Sequence, residues 1–127
     1  INTIAVRLMM DAGPAKVVAL AQRLGIEAPL RAEPSLALGT SEVSLLELTS
    51  AYGAFAAGGV VNETQVIRRI RSSSGRVLYA RPAPASELVA SPGSIAALNG
   101  MMQTVVDRGT GKRAGLAKHA TAGKTGT

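Results

Sequence analysis

The stretch PSLALGTSEVSLLELTSAYGAFAAGGV, residues 34 to 60, holds the clearest helix start in the chain. Ser44 and Glu47 precede an apolar run at the spacing of a capping box, in which the Ser44 hydroxyl accepts the Glu47 N–H and the Glu47 carboxylate accepts the Ser44 N–H. The spacing predicts a helix with Leu45, Leu48, Tyr52 and Phe55 on one face and alanines over the rest, stopped by Gly58-Gly59. Such an alanine-rich helix packs closely against a neighbour. Upstream, from Ile26 to Thr40, the pattern is irregular and carries Pro29 and Pro34, so it reads as a loop laid over the surface.

Towards the N-terminus, Ile4, Ala5, Leu8, Met9 and Ala12 recur at helical spacing, with Asn2 in the position of an N-cap. Gly13-Pro14 is a sharp corner into a second helix, whose face is Val17, Val18, Leu20, Ala21 and Leu24 and whose end is Gly25. Beyond the central helix, Gln65 to Arg71 and Arg76 to Ala80 flank Ser72-Ser73-Ser74-Gly75 and read as a hairpin with arginines 68, 69, 71 and 76 on its wet faces and edge. Ser91-Pro92 opens a further helix, with Ile95, Leu98, Met101, Met102, Val105 and Val106 on its buried side and Gly109 past its end. Residues 109 to 115 read as a flexible basic loop, and Ala120 to Thr127 as a strand beginning.

Composition narrows the function. A chain of 127 residues fits one domain, or a piece of one, and the opening INTIAVRLMM without an initiator methionine suggests an internal piece. Hydrophobic residues at 46% and charged ones at 17% exclude a disordered chain, while Glu47 and glycines interrupt the longest apolar stretch, so no membrane span is expected. With no cysteine and one histidine, neither a disulfide nor a zinc site is expected, and no cofactor is. The formal charge of +6 would suit an anionic partner. A basic nucleic-acid-binding module is an alternative, but Tyr52, Phe55 and Tyr79 are the only aromatics, too few for base stacking, and the arginines cluster on the hairpin rather than on one helix face. No nucleic-acid partner is expected.

The ending AGKTGT, residues 122 to 127, carries the most suggestive chemistry. Lys124 offers a cation, Thr125 and Thr127 offer hydroxyls, and Gly126 lets a ligand approach the backbone, all of which suit a carboxylate or phosphate. It is not a P-loop, because the leading glycine of GxxxxGK[ST] is missing. Read alone, the tetrapeptide is also compatible with a plain basic tail. His119 reads as a solvated loop residue and Glu47 as a cap rather than a base.

The stretch from Pro34 to Val60, the hairpin, the helix from Pro92, the loop VVDRGTG and the KTGT occur in one order, and that order resembles the transpeptidase domain of class A penicillin-binding proteins over essentially the whole chain. The resemblance implies an α+β fold: a mostly helical fragment of the serine β-lactamase/D,D-transpeptidase-like fold, with a β-hairpin and the start of the KTG strand. The family uses Ser-x-x-Lys, Ser-x-Asn and Lys-Thr-Gly. This sequence matches the third motif at Lys124 to Gly126. Asn2 would be the asparagine of the second, followed by an apolar helix, with the motif's serine just before residue 1. The first is absent, since no serine here has a lysine three places on. Residues 1 to 127 are therefore expected to be a single partial domain, truncated at both ends and inactive alone.

What the resemblance implies is acyl transfer on peptidoglycan stem peptides, with β-lactams entering by the same route. Lys124 would supply positive potential, Thr125 and Thr127 would hold the substrate carboxylate, the Thr127 amide would be an oxyanion donor, and Asn2 would orient the substrate amide. A D,D-carboxypeptidase or β-lactam hydrolase of the same fold differs only in the nucleophile that resolves the acyl-enzyme. The parent would be anchored in the bacterial cytoplasmic membrane, with this domain facing the periplasm or cell exterior. Apolar helix faces left without partners would favour self-association.

Overall fold

The computed structural model describes residues 2–83 and 86–126. The helices are α1 (Asn2–Ala12), α2 (Pro14–Arg23), α3 (Leu45–Ala56) and α4 (Pro92–Asp107), with short strands β1 (Val60–Val61), β2 (Arg69–Arg71), β3 (Val77–Ala80) and β4 (Glu87–Leu88) between α3 and α4. The fold class is α+β, as expected.

Local signals place the helix boundaries. Gly13 takes φ 91 at the corner between α1 and α2, a left-handed conformation that favours glycine, and its N–H still closes α1 on the Met9 carbonyl at 2.9 Å. At α4 the Ser91 hydroxyl accepts the Ser94 N–H at 3.1 Å, and Pro92 occupies the first turn, where no N–H is needed. The capping box of α3 is complete: Ser44 N–H donates to Glu47 Oε2 at 2.8 Å and Glu47 N–H to Ser44 Oγ at 3.2 Å. The helix at the N-terminus starts at Asn2 itself, one residue earlier than the N-cap reading placed it.

The core lies where α3 meets the end of α2 and the segment after β4. Leu24, Ala51, Ala54 and Val89 are buried there, with Ile26, Phe55 and Val61 packed against them. The buried face of α3 is therefore its alanine face, whereas the expected face is largely bare, with Leu45 80% exposed. Two helices or a helix and a strand approach most closely where side chains are small, so Ala51 and Ala54 sit at the contact, with Phe55 packed beside them and Leu45, Leu48 and Tyr52 left exposed. On α4, Ile95, Met102 and Val106 are buried as expected, while Met101 faces outward.

A pairing the sequence did not announce ties the chain together. β1 and β4 pair antiparallel, Val60 opposite Leu88 and Val61 opposite Glu87. Gly59, with φ 96, makes this possible: a Cβ there would stand 2.8 Å from the Ala90 carbonyl oxygen. Arg23 reaches from α2 to Glu87 at 2.8 Å, an exposed ion pair that adds little energy.

The hairpin forms with shorter strands than expected: the register shifts between Ile70 and Arg71, and beyond Arg69 the Arg81 N–H still donates to the Arg68 carbonyl at 3.1 Å. Its turn closes through Gly75 N–H to the Ser72 carbonyl at 2.9 Å, with Gly75 at φ 83. Both strands are exposed, arginines included. The loop over residues 26 to 40 contains a 3-10 turn, Pro34–Leu38, which packs against α1. The basic loop expected at residues 109 to 115 contains a tight turn followed by a 3-10 turn at Lys112–Ala114. The strand expected over Ala120 to Thr127 is irregular over residues 120–126, since no strand among the described residues pairs with it, and Thr127 lies outside the described residues.

Candidate functional site

The last turn of α4 carries the candidate site. Gly109 N–H and Gly111 N–H both donate to the Val105 carbonyl, at 3.1 and 2.9 Å, so the chain folds back on the helix end directly. A Cβ at Gly109 would come within 2.8 Å of that carbonyl oxygen, and one at Gly111 within 3.2 Å of Val105 Cγ1. Only glycine fits at Gly109 without movement of backbone, and the two glycines present Thr110 between them at the surface.

The KTG segment lies against this turn. Gly123 N–H donates to the Met102 carbonyl at 3.3 Å, and the Thr125 hydroxyl stands 2.9 Å from the hydroxyl of Thr110. Lys124 Nζ donates to the Thr125 carbonyl at 2.8 Å and lies 3.4 Å from Thr125 Oγ1. Among the described residues, Lys124 has no carboxylate in ion-pair range. An exposed ammonium 3.4 Å from a hydroxyl is suited to a small anion.

Of the sequence-based site residues, Lys124, Thr125 and Gly126 thus stand together, whereas Thr127 lies outside the described residues. Asn2 is an exposed first residue of α1, and no hydrogen bond joins it to the Lys124 segment among the described residues. Thr110 was not singled out from sequence. Its signal is a lone hydroxyl between two glycines at a helix end.

Other candidates are accounted for locally. Glu47 Oε1 accepts the N–H groups of Glu27 and Ala28 at 2.8 and 2.9 Å, in addition to the capping box. Its pKa is lowered from the usual 4.5 to about 2, chiefly by the hydrogen bond with the Ser44 side chain and then by the backbone N–H groups of Ser44, Glu27 and Ala28. It is a carboxylate fixed in its charged form, unsuited to accepting a proton near neutral pH. A cleft of about 510 Å³ beside it is lined by Glu27, Glu47, Glu63 and Glu87, of which Glu63 and Glu87 are held by Arg81 and Arg23. His119 takes part in a tight turn, its carbonyl accepting the Thr121 hydroxyl at 3.2 Å. Among the described residues no group of His, Asp or Glu could hold a metal ion.

Comparison with known proteins decides the family. The profile of the penicillin-binding protein transpeptidase domain matches residues 8–127. The chain belongs to that family. Penicillin-binding protein 1A of Aquifex aeolicus is 36% identical over 127 residues, all of this chain and 17% of the relative. Penicillin-binding protein 2D of Bacillus subtilis is 42% identical over 81 residues, 64% of this chain and 12% of the relative. The chain therefore spans less than a fifth of the length of either relative. The crystal structure of the D,D-transpeptidase domain of a peptidoglycan glycosyltransferase from Eggerthella lenta superposes with a TM-score of 0.79 at 20% identity, over 98% of this chain and 39% of that one. That likeness establishes the transpeptidase-domain fold for these helices and small sheets.

Proposed function

We propose that residues 1–127 form the KTG side of the active site of a serine D,D-transpeptidase that cross-links peptidoglycan stem peptides, with the nucleophilic serine supplied from outside these residues. The observation that carries this reading is the Lys124–Thr125 pair, a cation and a hydroxyl 3.4 Å apart, with no carboxylate in ion-pair range of the cation among the described residues. Family membership raises it above a generic anion site.

In the proposed reaction the Ser-x-x-Lys hydroxyl attacks the penultimate D-alanine carbonyl, forming an ester as the peptide C–N bond breaks and the terminal D-alanine leaves with the proton. An amine of a second stem then attacks the ester, forming the cross-link amide and returning the serine its proton. Lys124 supplies positive potential, and Thr125 and Thr127 donate to the terminal carboxylate of the stem peptide or of a β-lactam. The Thr127 amide is an oxyanion donor, and Asn2 orients the substrate amide.

The whole protein is proposed to be anchored in the bacterial cytoplasmic membrane, with this domain facing the periplasm or cell exterior, where the polymer is built. Among the described residues no helix is long and apolar enough to cross a membrane, so these helices do not provide the anchor. The test is Lys124→Ala in the full-length protein. Acylation by penicillin should slow at least about tenfold, because a charge-assisted contact to the carboxylate is lost. Unchanged rates at low and high salt would overturn the reading.

A further inference from the structure

We propose that Thr110 is a positioning residue for the carboxylate site, acting through Thr125. This rests on the reading of Lys124 and Thr125 given above and adds a residue to it. The two hydroxyl oxygens are 2.9 Å apart, and either one can donate in the free protein. Once an anion is bound, the arrangement has one direction. Thr125 O–H donates to the carboxylate, so its oxygen has only lone pairs left for Thr110, and Thr110 O–H becomes the donor. The result is a chain of donors, Thr110 to Thr125 to carboxylate, each link polarising the next. Lys124 Nζ, 3.4 Å from the same Thr125 oxygen, adds its field to that chain.

The placement of Thr110 is built rather than incidental. Its neighbours Gly109 and Gly111 are both pinned to the Val105 carbonyl, and a Cβ on Gly109 would collide with that carbonyl at 2.8 Å. The same end of α4 holds the other side of the segment, through Gly123 N–H on the Met102 carbonyl at 3.3 Å. The tip of the turn and the KTG segment are therefore referenced to one helix. Free rotation of the Thr125 hydroxyl is the degree of freedom that Thr110 removes.

The experiment uses the full-length protein with Thr110→Val, which keeps the β-branched shape and removes the hydroxyl, and Thr110→Ser, which keeps the hydroxyl. Thermal unfolding checks that both fold. Second-order acylation rates are measured with benzylpenicillin and with its methyl ester, which lacks the anion. Thr110→Val should slow acylation by free penicillin roughly three- to tenfold, the scale of one lost hydrogen bond, and change the rate with the ester by less than about twofold. Thr110→Ser should restore the rate with free penicillin to within about twofold. An unchanged rate for Thr110→Val, an equal loss with acid and ester, or no rescue by serine would each overturn the proposal. Lys124→Ala, run alongside, separates the two failures: if it slows acylation while Thr110→Val does not, the role of Thr110 falls alone. If Lys124→Ala also has no effect, the carboxylate site falls and Thr110 with it.

Discussion

The Glu47 carboxylate accepts the backbone N–H of Ala28 at 2.9 Å, so the side chain that caps α3 also fastens the loop leaving α2. Its pKa in the fold, about 2 against the usual 4.5, makes this a stabilising contact that depends on ionisation. The unfolded chain binds the proton more tightly than the folded one, so stability from this group is complete above about pH 5 and drains away as pH falls towards 2. The thermal midpoints of the native chain and Glu47→Gln, measured from pH 6 down to pH 2.5, should converge as pH falls. At neutral pH the variant should melt roughly 2–8 °C lower. A constant difference across that range would mean the charge is not what matters.

Ala54, 1% exposed, marks where α3 meets the core, so enlargement there should be costly. Ala54→Leu is expected to destabilise by about 1–3 kcal/mol through overpacking. Leu45→Ala, at a position 80% exposed on the other face, should stay within about 0.5 kcal/mol. Denaturant unfolding of the two variants decides it, and the reverse order would restore the large-residue face as the buried one.

Gly59→Ala tests the join between β1 and β4. The new Cβ would meet the Ala90 carbonyl oxygen at 2.8 Å in a backbone with φ 96. A loss on the order of 1–3 kcal/mol is expected in denaturant unfolding, since strain and a backbone clash act together. A neutral substitution would show that the pairing is loose.

What could be read from sequence was chemistry confined to a few neighbouring residues. Ser44 with Glu47, Ser91 with Pro92, and Gly13 with Pro14 each specify a helix end through groups within one turn, and all are found in the structure. The buried face of α3 was not legible, because leucines and alanines both make apolar stripes and only the partner decides which is covered. The β1–β4 pairing joins two-residue strands across a long separation, too short to show any periodicity. Lys124 and Thr125 were legible as a motif, but their link to Thr110 spans fifteen residues and depends on how tightly Gly109 and Gly111 fold back on α4.

The exposed apolar residues predict behaviour in solution. Leu45 at 80%, Met101 at 62% and Leu116 at 63% exposure leave the helices and the last loop with bare apolar surface. Residues 1–127 produced alone should therefore self-associate, with a light-scattering mass above the 12.9 kDa monomer that rises with concentration. A monomer at every concentration would show that these faces are too scattered to act as an interface.

The most direct test of the central claim, that this chain holds the carboxylate while a serine elsewhere performs the attack, is intact mass after incubation with benzylpenicillin. The full-length protein should gain one penicillin per chain, with peptide mapping placing it on a serine outside residues 1–127. The same residues alone should gain nothing, since none of their serines has a lysine three places on. A stoichiometric adduct on residues 1–127, or a full-length protein that takes up no penicillin, would contradict the account.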